Sequence, residues 1–244
     1  MTSSTLRIYP IRGLFGYSYL IVEVSPDSPA DMSAILIDAC FGCTPRKLAK
    51  VFIHLNLSPA ALRGVHLTHA HFDHVINAAA IQHWNNVPIY CPAPDKPYLL
   101  ECAKYRGANK VGGMLEAIGR VLWHYKAPQN MIYFSMVDDH VESLLPDFKT
   151  VSRVSLPGHT PGHTGYYIRT TNTLIAGDLF AGSGCYTHTS PRIFTDEHHM
   201  AVCSIKKAAA LAPESVFVCH TLQVNGARGA VALRKLAGKI QGNS

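Results

Sequence analysis

Four potential metal ligands stand within six residues, directly after a short apolar run of the sequence. Residues 65–68 have the length and composition of a buried strand, and the chain then continues H-A-H-F-D-H. Because residues i and i+2 of an extended chain point to the same side, His69 and His71 can hold one metal ion. Asp73 and His74 would lie at the start of the next helix, from where their side chains can reach a second ion. The alternative, a histidine-rich loop in water, would not explain the ligands found elsewhere.

Four other predicted strands are each followed by a histidine or an aspartate. Residues 34–37 lead to Asp38, residues 151–156 to His159, residues 174–177 to Asp178 and residues 216–219 to His220. Ligands at strand ends can share one edge of a sheet, and strands position side chains more rigidly than loops do. Glycines next to His159 and Asp178 allow the tight turns that such an edge needs. Each of these residues is ordinary when taken singly, but together they predict a metal site.

Predicted strands and helices interleave along the 244 residues of the chain. The strands are predicted at residues 6–11, 17–24, 34–37, 65–68, 151–156, 166–169, 174–176 and 216–219, and the helices at residues 46–57, 73–84, 195–211 and 228–240. Only short gaps separate several adjacent strands, which favours sheets covered by helices over an all-parallel barrel. We therefore predict two packed sheets flanked by helices, in one domain over residues 1–244.

Residues 101–130 differ from the rest of the chain in being both basic and aromatic. Against two glutamates, the segment carries five cations, Lys104, Arg106, Lys110, Arg120 and Lys126. Apolar and aromatic side chains, among them Trp123 and Tyr125, are interleaved with these charges. We predict a peripheral helical insertion, which is either a lid that selects substrate or an amphipathic helix with a solvated basic face.

The ligand motifs resemble those of the metallo-β-lactamase superfamily. H-A-H-F-D-H is followed by P-G-H-T-P-G-H-T from Pro157, then by A-G-D ending at Asp178, then by His220, in the order that the family uses. The form P-G-H-T-x-G-H is most similar to glyoxalase II and related thioesterases and lactonases. The resemblance implies a four-layer αββα sandwich of the α/β (α+β) class, with the site at its open edge.

The same resemblance implies a role for each ligand. One ion would be held by His69, His71 and His159, the other by Asp73, His74 and His220, with Asp178 bridging both. Asp38 and His163 would lie behind the ligands and orient them through hydrogen bonds. The implied cofactor is two Zn²⁺ ions, and iron or manganese could occupy such a mixed set of nitrogen and carboxylate ligands.

The chemistry implied by the resemblance is hydrolysis of a small-molecule thioester, ester or lactone by a metal-bridging hydroxide. Asp73 is the candidate catalytic residue, since it or a metal-bound water would pass a proton to the leaving group. The alternative is a phosphodiesterase or nuclease that uses the same ions and the net charge of +6, or β-lactam hydrolysis as a side activity. An idle metal-binding protein, acting as a sensor or scaffold, is disfavoured by the complete ligand set.

Several residues of this sequence differ from those typical of individual branches of the family, and these differences narrow the range of expected substrates. His71 replaces the carboxylate of the flavodiiron branch, and Asp178 replaces the cysteine of typical zinc β-lactamases. The run after Asp178 lacks the tyrosine that is usual in lactonases of acyl-homoserine signals. Only 24 residues follow His220, whereas glyoxalase II binds glutathione with a C-terminal helical extension. A glutathione thioester is therefore disfavoured.

Composition sets the broad class of the chain. Apolar residues make up 48% and charged residues 16%, which is typical of a globular protein. The start of the chain is polar and no apolar segment is long enough to cross a bilayer, so we expect a soluble, cytoplasmic protein without a membrane partner. We expect a small-molecule substrate and no nucleic-acid partner, and a homodimer is one option for the oligomeric state.

The seven cysteines are an odd number in mostly apolar surroundings, which favours reduced thiols. Cys40 and Cys43 have C-x-x-C spacing, but no second pair completes a four-thiolate zinc site. Redox chemistry at this pair is a minor alternative to a structural role.

Overall fold

Two large β-sheets lie face to face in the computed structural model. It describes residues 5–24, 32–100, 110–135, 142–143, 148, 151–183, 186–222 and 224–242. The first sheet has six strands in sequence order: β1 Thr5–Arg12, β2 Tyr17–Val24, β3 Ser33–Ile37, β4 Leu62–His66, β5 Ile89–Pro92 and β6 Ile132–Phe134. The pairs from β1 to β3 are antiparallel and those from β3 to β6 are parallel.

The second sheet has five strands and is assembled out of sequence order. Its strands are β7 Glu142–Ser143, β8 Val151–Ser155, β9 Thr164–Ile168, β10 Thr173–Ile175 and β13 Ser215–Phe217, in the order β13-β10-β9-β8-β7. A small third sheet has β11 Phe180–Ser183 at its centre, between β12 Tyr186–Thr189 and β14 Thr221–Leu222. Because β13 joins β10 in parallel, the residues that follow these two strands emerge at the same edge.

Seven α-helices connect and cover the strands of the described chain. They are α1 Pro45–His54, α2 Phe72–Val75, α3 Ala78–Asn85, α4 Lys96–Leu100, α5 Lys110–Leu122, α6 His198–Ala210 and α7 Ala227–Gly242. The N-terminus of helix α1 is capped, because the Thr44 hydroxyl accepts a hydrogen bond from the Lys47 N–H and Pro45 occupies the first turn.

Three hydrophobic clusters show the order of the layers. Ile21 and Ile35 of the first sheet pack with Tyr166 and Ile175 of the second. Alternate residues of β2, such as Leu20, point the other way and pack with residues of α1 and α3. On the far side of the second sheet, α6 and α7 form a third cluster with its strands. The layers are therefore helix, sheet, sheet, helix, and the predicted αββα sandwich is confirmed.

Two predicted elements need correction near the ligands. The strand predicted at residues 65–68 runs from Leu62 to His66, so the chain is irregular before the first ligand. The helix predicted at residues 73–84 is divided into α2 and α3. The division has a tertiary cause, because the Asn77 N–H donates to the Ala39 carbonyl instead of to the preceding helical turn.

The segment 101–130 is described only in part. Helix α5 and the turn after it lie within it, whereas residues 101–109 fall outside the described residues. The division of the chain into one domain with a helical insertion therefore stays a prediction. Among the described residues, no helix has both the length and the apolar character needed to span a bilayer.

Candidate metal centre

All seven predicted ligands come together at one end of the sandwich. His69 and His71 lie in the irregular segment after β4, and Asp73 and His74 lie on the short helix α2. The other three follow strands of the second sheet, His159 after β8, Asp178 after β10 and His220 after β13. Asp38 follows β3 directly beneath them. The ends of these strands thus meet at one edge, and the eight side chains lie together there.

The first group of ligands consists of His69, His71 and His159. All three side chains are buried, and one nitrogen of each lies within 4.8 Å of the other two. The centroids of neighbouring rings are 4.6 to 4.8 Å apart. Burial, followed by the neighbouring histidines, holds the pKa of His69 and His159 well below the ordinary value. Three converging imidazoles are the arrangement that binds a divalent cation.

The second group consists of His74, His220, Asp73 and Asp178. The Nε2 atom of His220 lies 2.9 Å from an Asp73 carboxylate oxygen, and the Nε2 atom of His74 lies 3.8 Å from the same oxygen. The side chain of His74 is fully buried, while about a third of Asp73 is exposed. This group therefore has an open side, which faces the cavity described below.

Asp178 lies between the two groups. One of its carboxylate oxygens is 3.3 Å from Nε2 of His74, and the other is 3.2 Å from His220 and 3.5 Å from His159. Burial disfavours its charge, but His220 and His74 hold the pKa of the carboxyl well below its ordinary value. The carboxylate is buried and lies close to His159 of the first group and to His74 and His220 of the second, which is the position that a bridging ligand requires.

Hydrogen bonds behind the ligands fix which ring nitrogen faces the centre. The Thr68 hydroxyl donates to Asp38, so it accepts from Nδ1 of His69 at 3.0 Å. Nδ1 of His74 donates to the same Asp38 oxygen at 2.9 Å, and Nδ1 of His220 donates to the Phe15 carbonyl at 2.8 Å. These bonds engage Nδ1 of each ring and leave its Nε2 atom directed at the centre.

The inward-facing atoms test whether a metal fits this site. Within the described chain, Nε2 of His69, His74 and His159 and one oxygen of Asp178 are buried without a hydrogen-bond partner. Burying these four polar atoms together without partners would destabilise the folded protein, unless a cation binds them. The donor set, nitrogen and carboxylate oxygen, matches zinc, iron or manganese.

His163 belongs to the motif but its two ring nitrogens are already engaged. Its Nε2 accepts the Asp178 backbone N–H at 3.1 Å, so its proton is on Nδ1, which donates to the Leu156 carbonyl at 2.9 Å. Burial lowers the pKa of His163 to about 4. The ring thus holds the backbone of Asp178 in place. Gly177, at φ +53°, leaves no space there for a Cβ atom, which would lie 2.9 Å from this ring.

Asp95, which follows β5, is a residue of the site that the sequence pattern does not reveal. Its buried carboxylate accepts hydrogen bonds from the Ala70 N–H at 3.2 Å, the Thr160 hydroxyl at 2.7 Å and the Gly162 N–H at 2.7 Å. It therefore joins the loop of His69 and the loop of His159. Strand β5 was not predicted because its apolar run is short and contains Pro92, so Asp95 had no strand end to mark it.

A cavity of about 340 Å³ opens onto the ligands. On the side facing the metal centre it is lined by His71, Asp73, His159, Asp178 and His220. The opposite walls include Phe72, Leu115, Phe180 and Phe194. Glu116 of α5 also reaches the wall, where it accepts the Phe72 N–H and pairs with Arg120 at 3.0 Å. Apart from the proposed ligands, the described lining is thus mainly apolar.

Comparison with known proteins agrees with this geometry. The sequence pattern of the metallo-β-lactamase superfamily matches residues 11–220. This chain belongs to the metallo-β-lactamase superfamily. Members generally bind metal ions, and the histidine and aspartate groups here could hold them. The predicted family and the predicted class, a metallo-hydrolase, are therefore confirmed.

Curated relatives within the superfamily are similar at low identity. The "Probable metallo-hydrolase YflN" of Bacillus subtilis is 27% identical, over 73% of this chain and 72% of its own length. The hydroxyacylglutathione hydrolase of Thermosynechococcus vestitus is 29% identical over 74% of this chain, but only 55% of its own length is covered. Among solved structures, TTHA1623 in a di-iron-bound form aligns with a TM-score of 0.63 and 24% identity, covering 92% of this chain and 96% of that one. This last similarity supports the fold.

Proposed function

We propose that this chain hydrolyses a small-molecule thioester, ester or lactone at a centre of two metal ions, with zinc as the proposed metal. The proposal rests on one observation above all, the two converging ligand groups that share Asp178 and open onto a cavity. His69, His71 and His159 would hold one ion, and Asp73, His74 and His220 the other. Two such ions supply a water whose pKa is lowered toward neutrality and a Lewis acid for the substrate carbonyl.

The protein groups have separate tasks in this proposal. Asp38 and His163 hold the ligands and the Asp178 backbone in place before substrate arrives. Asp73 is the proposed catalytic residue, because about a third of its side chain is exposed and it lines the cavity where a leaving group would depart. Phe72, Phe180 and Phe194 exclude water from the region around the carbonyl.

The cavity lining indicates which substrates fit. No lysine or arginine is among the residues that line the described cavity, and Glu116 adds a negative charge beside the carboxylate ligands. An anionic group away from the metal centre would therefore find no partner there. We infer that the group that enters the cavity is uncharged and mainly apolar, which disfavours both glutathione thioesters and nucleic-acid phosphodiesters.

The test combines metal analysis with a substrate panel on one preparation. We expect two equivalents of transition metal per chain, turnover of apolar thioesters, esters or lactones, and loss of turnover after chelation with recovery on adding Zn²⁺. Asp178→Asn should lower both the metal content and kcat/KM, the latter by at least about 100-fold. His54→Ala is the matched control, because His54 lies exposed on α1.

The panel also contains β-lactams and phosphodiesters. A preparation that carries its metals but cleaves only phosphodiesters would replace the proposal with the nuclease alternative. A fully folded protein that binds no transition metal would overturn it altogether.

A further inference from the structure

Two buried cysteines face each other directly behind the metal centre. Cys40 follows β3 of the first sheet, and Cys219 follows β13 of the second. Their Sγ atoms are 3.6 Å apart, although the residues are 179 positions apart in the chain. The C-x-x-C spacing had drawn attention to Cys40 and Cys43, but the sulfur that the structure places against Cys40 is that of Cys219.

The surrounding contacts keep the two thiols facing each other. The Cys40 N–H donates to the Ser18 hydroxyl at 3.0 Å, and its carbonyl accepts from the Asn77 side chain at 2.7 Å. The Cys219 N–H donates to the Gly177 carbonyl at 3.0 Å. Gly16 leaves the space that the second sulfur occupies, since a Cβ atom there would lie 2.5 Å from Sγ of Cys219. The pair is thus pre-positioned rather than a chance encounter of mobile side chains.

We propose that Cys40 and Cys219 form a disulfide on exposure to a two-electron oxidant such as hydrogen peroxide, and that this modification weakens the metal centre. One sulfur attacks the peroxide O–O bond, giving a sulfenic acid and one water. The second sulfur then attacks the first, the S–O bond breaks, and a second water leaves with the remaining thiol proton. Two thiols are oxidised to one disulfide and one peroxide is reduced to two waters.

The link to the metal centre, which rests on the proposed function, follows from the neighbours of each cysteine. Forming the bond shortens the sulfur separation from 3.6 Å to about 2.05 Å, so both side chains must turn toward each other, and any strain that this leaves falls on the backbone at Cys40 and Cys219. Cys219 immediately precedes His220, and Cys40 lies two residues after Asp38, which holds His74. The Sγ atom of Cys219 is itself within 4.8 Å of ligand atoms of His74, Asp178 and His220. A shift of either segment therefore displaces a proposed ligand.

Peptide mapping tests the bond without relying on activity. The metal-loaded protein is treated with hydrogen peroxide, its free thiols are alkylated, and it is digested with trypsin without reduction. We expect the peptide of residues 13–46 joined to that of residues 208–228, and loss of this species after dithiothreitol. The joined peptides should persist in Cys43→Ala, the matched control for the C-x-x-C pair, and be absent from Cys40→Ala and Cys219→Ala.

Metal analysis of the same oxidised samples tests the second half of the proposal. Metal content should fall after oxidation of the wild type and of Cys43→Ala, and should return when the reduced protein is given Zn²⁺. It should not fall in Cys40→Ala. Wild-type mapping needs no variant, so a variant that fails to fold does not decide the outcome.

Three results would overturn the inference. These are a Cys40–Cys43 disulfide in place of the expected one, joined peptides without any metal loss, and protection of Cys219 from peroxide by bound zinc in Cys40→Ala. The last result would assign that thiol to the metal. None of these results affects the ligand variants or the substrate panel, so failure here is distinguishable from failure of the proposed function.

Discussion

Asp95 connects the two loops that carry the first group of proposed ligands. Its carboxylate accepts from Ala70, between His69 and His71, and from Thr160 and Gly162, on either side of Pro161 in the loop after His159. Burial raises the pKa of Asp95 to about 6, against the three hydrogen bonds that favour its charged form. This residue is therefore a positioning group for the metal centre, although it touches neither metal nor substrate.

Asp95→Asn should destabilise the protein although the two side chains have nearly the same shape. The two oxygens of Asp95 accept the Ala70 N–H and the Gly162 N–H separately, whereas asparagine has only one side-chain oxygen. One of these two N–H groups would therefore lose its acceptor and face the amide NH₂ group instead. We expect the free energy of unfolding in urea to fall by about 2 to 4 kcal/mol, since buried unsatisfied donors next to a formerly charged acceptor are costly. Zinc affinity should fall with it. Glu214→Gln, at an exposed position, is the matched control. A wild-type urea midpoint for Asp95→Asn would contradict this account.

Residue types and spacing explain why most of the site could be predicted from sequence. The ligands are histidines and aspartates at fixed intervals after apolar runs, and this signal is present in the linear chain. Asp95 gives no such signal. Two of its three partners are backbone N–H groups, 25 and 67 residues away, which any residue could supply. Cys219 was missed for a similar reason, since its contact with Cys40 depends on how the two sheets meet.

At the scale of elements, α5 forms one wall of the cavity. Glu116 and Arg120 attach the helix to the chain around Phe72, with the Arg120 guanidinium also 4.7 Å from the centre of the Tyr125 ring. Its apolar residues recur at helical spacing, and Leu115 among them lines the cavity while being 48% exposed. Whether α5 is a lid that selects substrate or a packed amphipathic helix stays a prediction. In a lid, Leu115 contacts the substrate, whereas in a packed helix it does not.

Leu115→Gln should lower kcat/KM for substrates with an apolar acyl group. Loss of one apolar contact of about 1 to 1.5 kcal/mol corresponds to a drop of about tenfold, mainly through KM. Turnover of an acetyl ester, which lacks an extended apolar acyl chain, should change less. Val121→Gln is the matched control, because Val121 lies on the same helix, is 74% exposed and does not line the described cavity. Equal effects of both variants on both substrates would show that the helix acts only through packing.

Element boundaries were harder to predict than element types, and the reasons are tertiary. The helix predicted at residues 73–84 breaks because Asn77 bonds to the loop after β3, through both its N–H and its side chain. Strands β5 and β6 gave no periodic signal because each has only three or four residues. Their pairing depends on the neighbouring parallel strand rather than on their own sequence.

At the scale of the whole molecule, the interior of this sandwich contains a histidine that the proposed site does not use. His66, at the end of β4, is fully buried and stacks on Tyr90, with ring centroids 4.3 Å apart and planes at 3°. Neither of its ring nitrogens has a hydrogen-bond partner within the described chain. Burial, with a smaller contribution from Arg153, lowers the pKa of His66 from 6.5 to about 3. The folded protein therefore keeps this ring neutral where an unfolded chain would protonate it.

This difference makes folding stability depend on pH with a definite sign. Below pH 6.5 the His66 ring binds a proton in the unfolded state but not in the folded state. The free energy of unfolding therefore falls as the pH is lowered, down to about pH 3. Between pH 7.5 and pH 5 the loss from His66 alone is about 2 kcal/mol. His66→Phe preserves the stacked ring and removes the titration. The stability of this variant relative to wild type should thus rise by about 2 kcal/mol between pH 7.5 and pH 5.

Urea unfolding of the metal-free proteins at both pH values measures this change, because the ligand histidines titrate equally in wild type and variant and cancel in the comparison. His54→Gln, at an exposed position on α1, is the control for the loss of a histidine side chain outside the core. If the stability difference between His66→Phe and wild type is the same at both pH values, His66 is hydrated or protonated in the folded protein. The sheets would then be less tightly packed around β4 than the burial of His66 and its stacking on Tyr90 indicate.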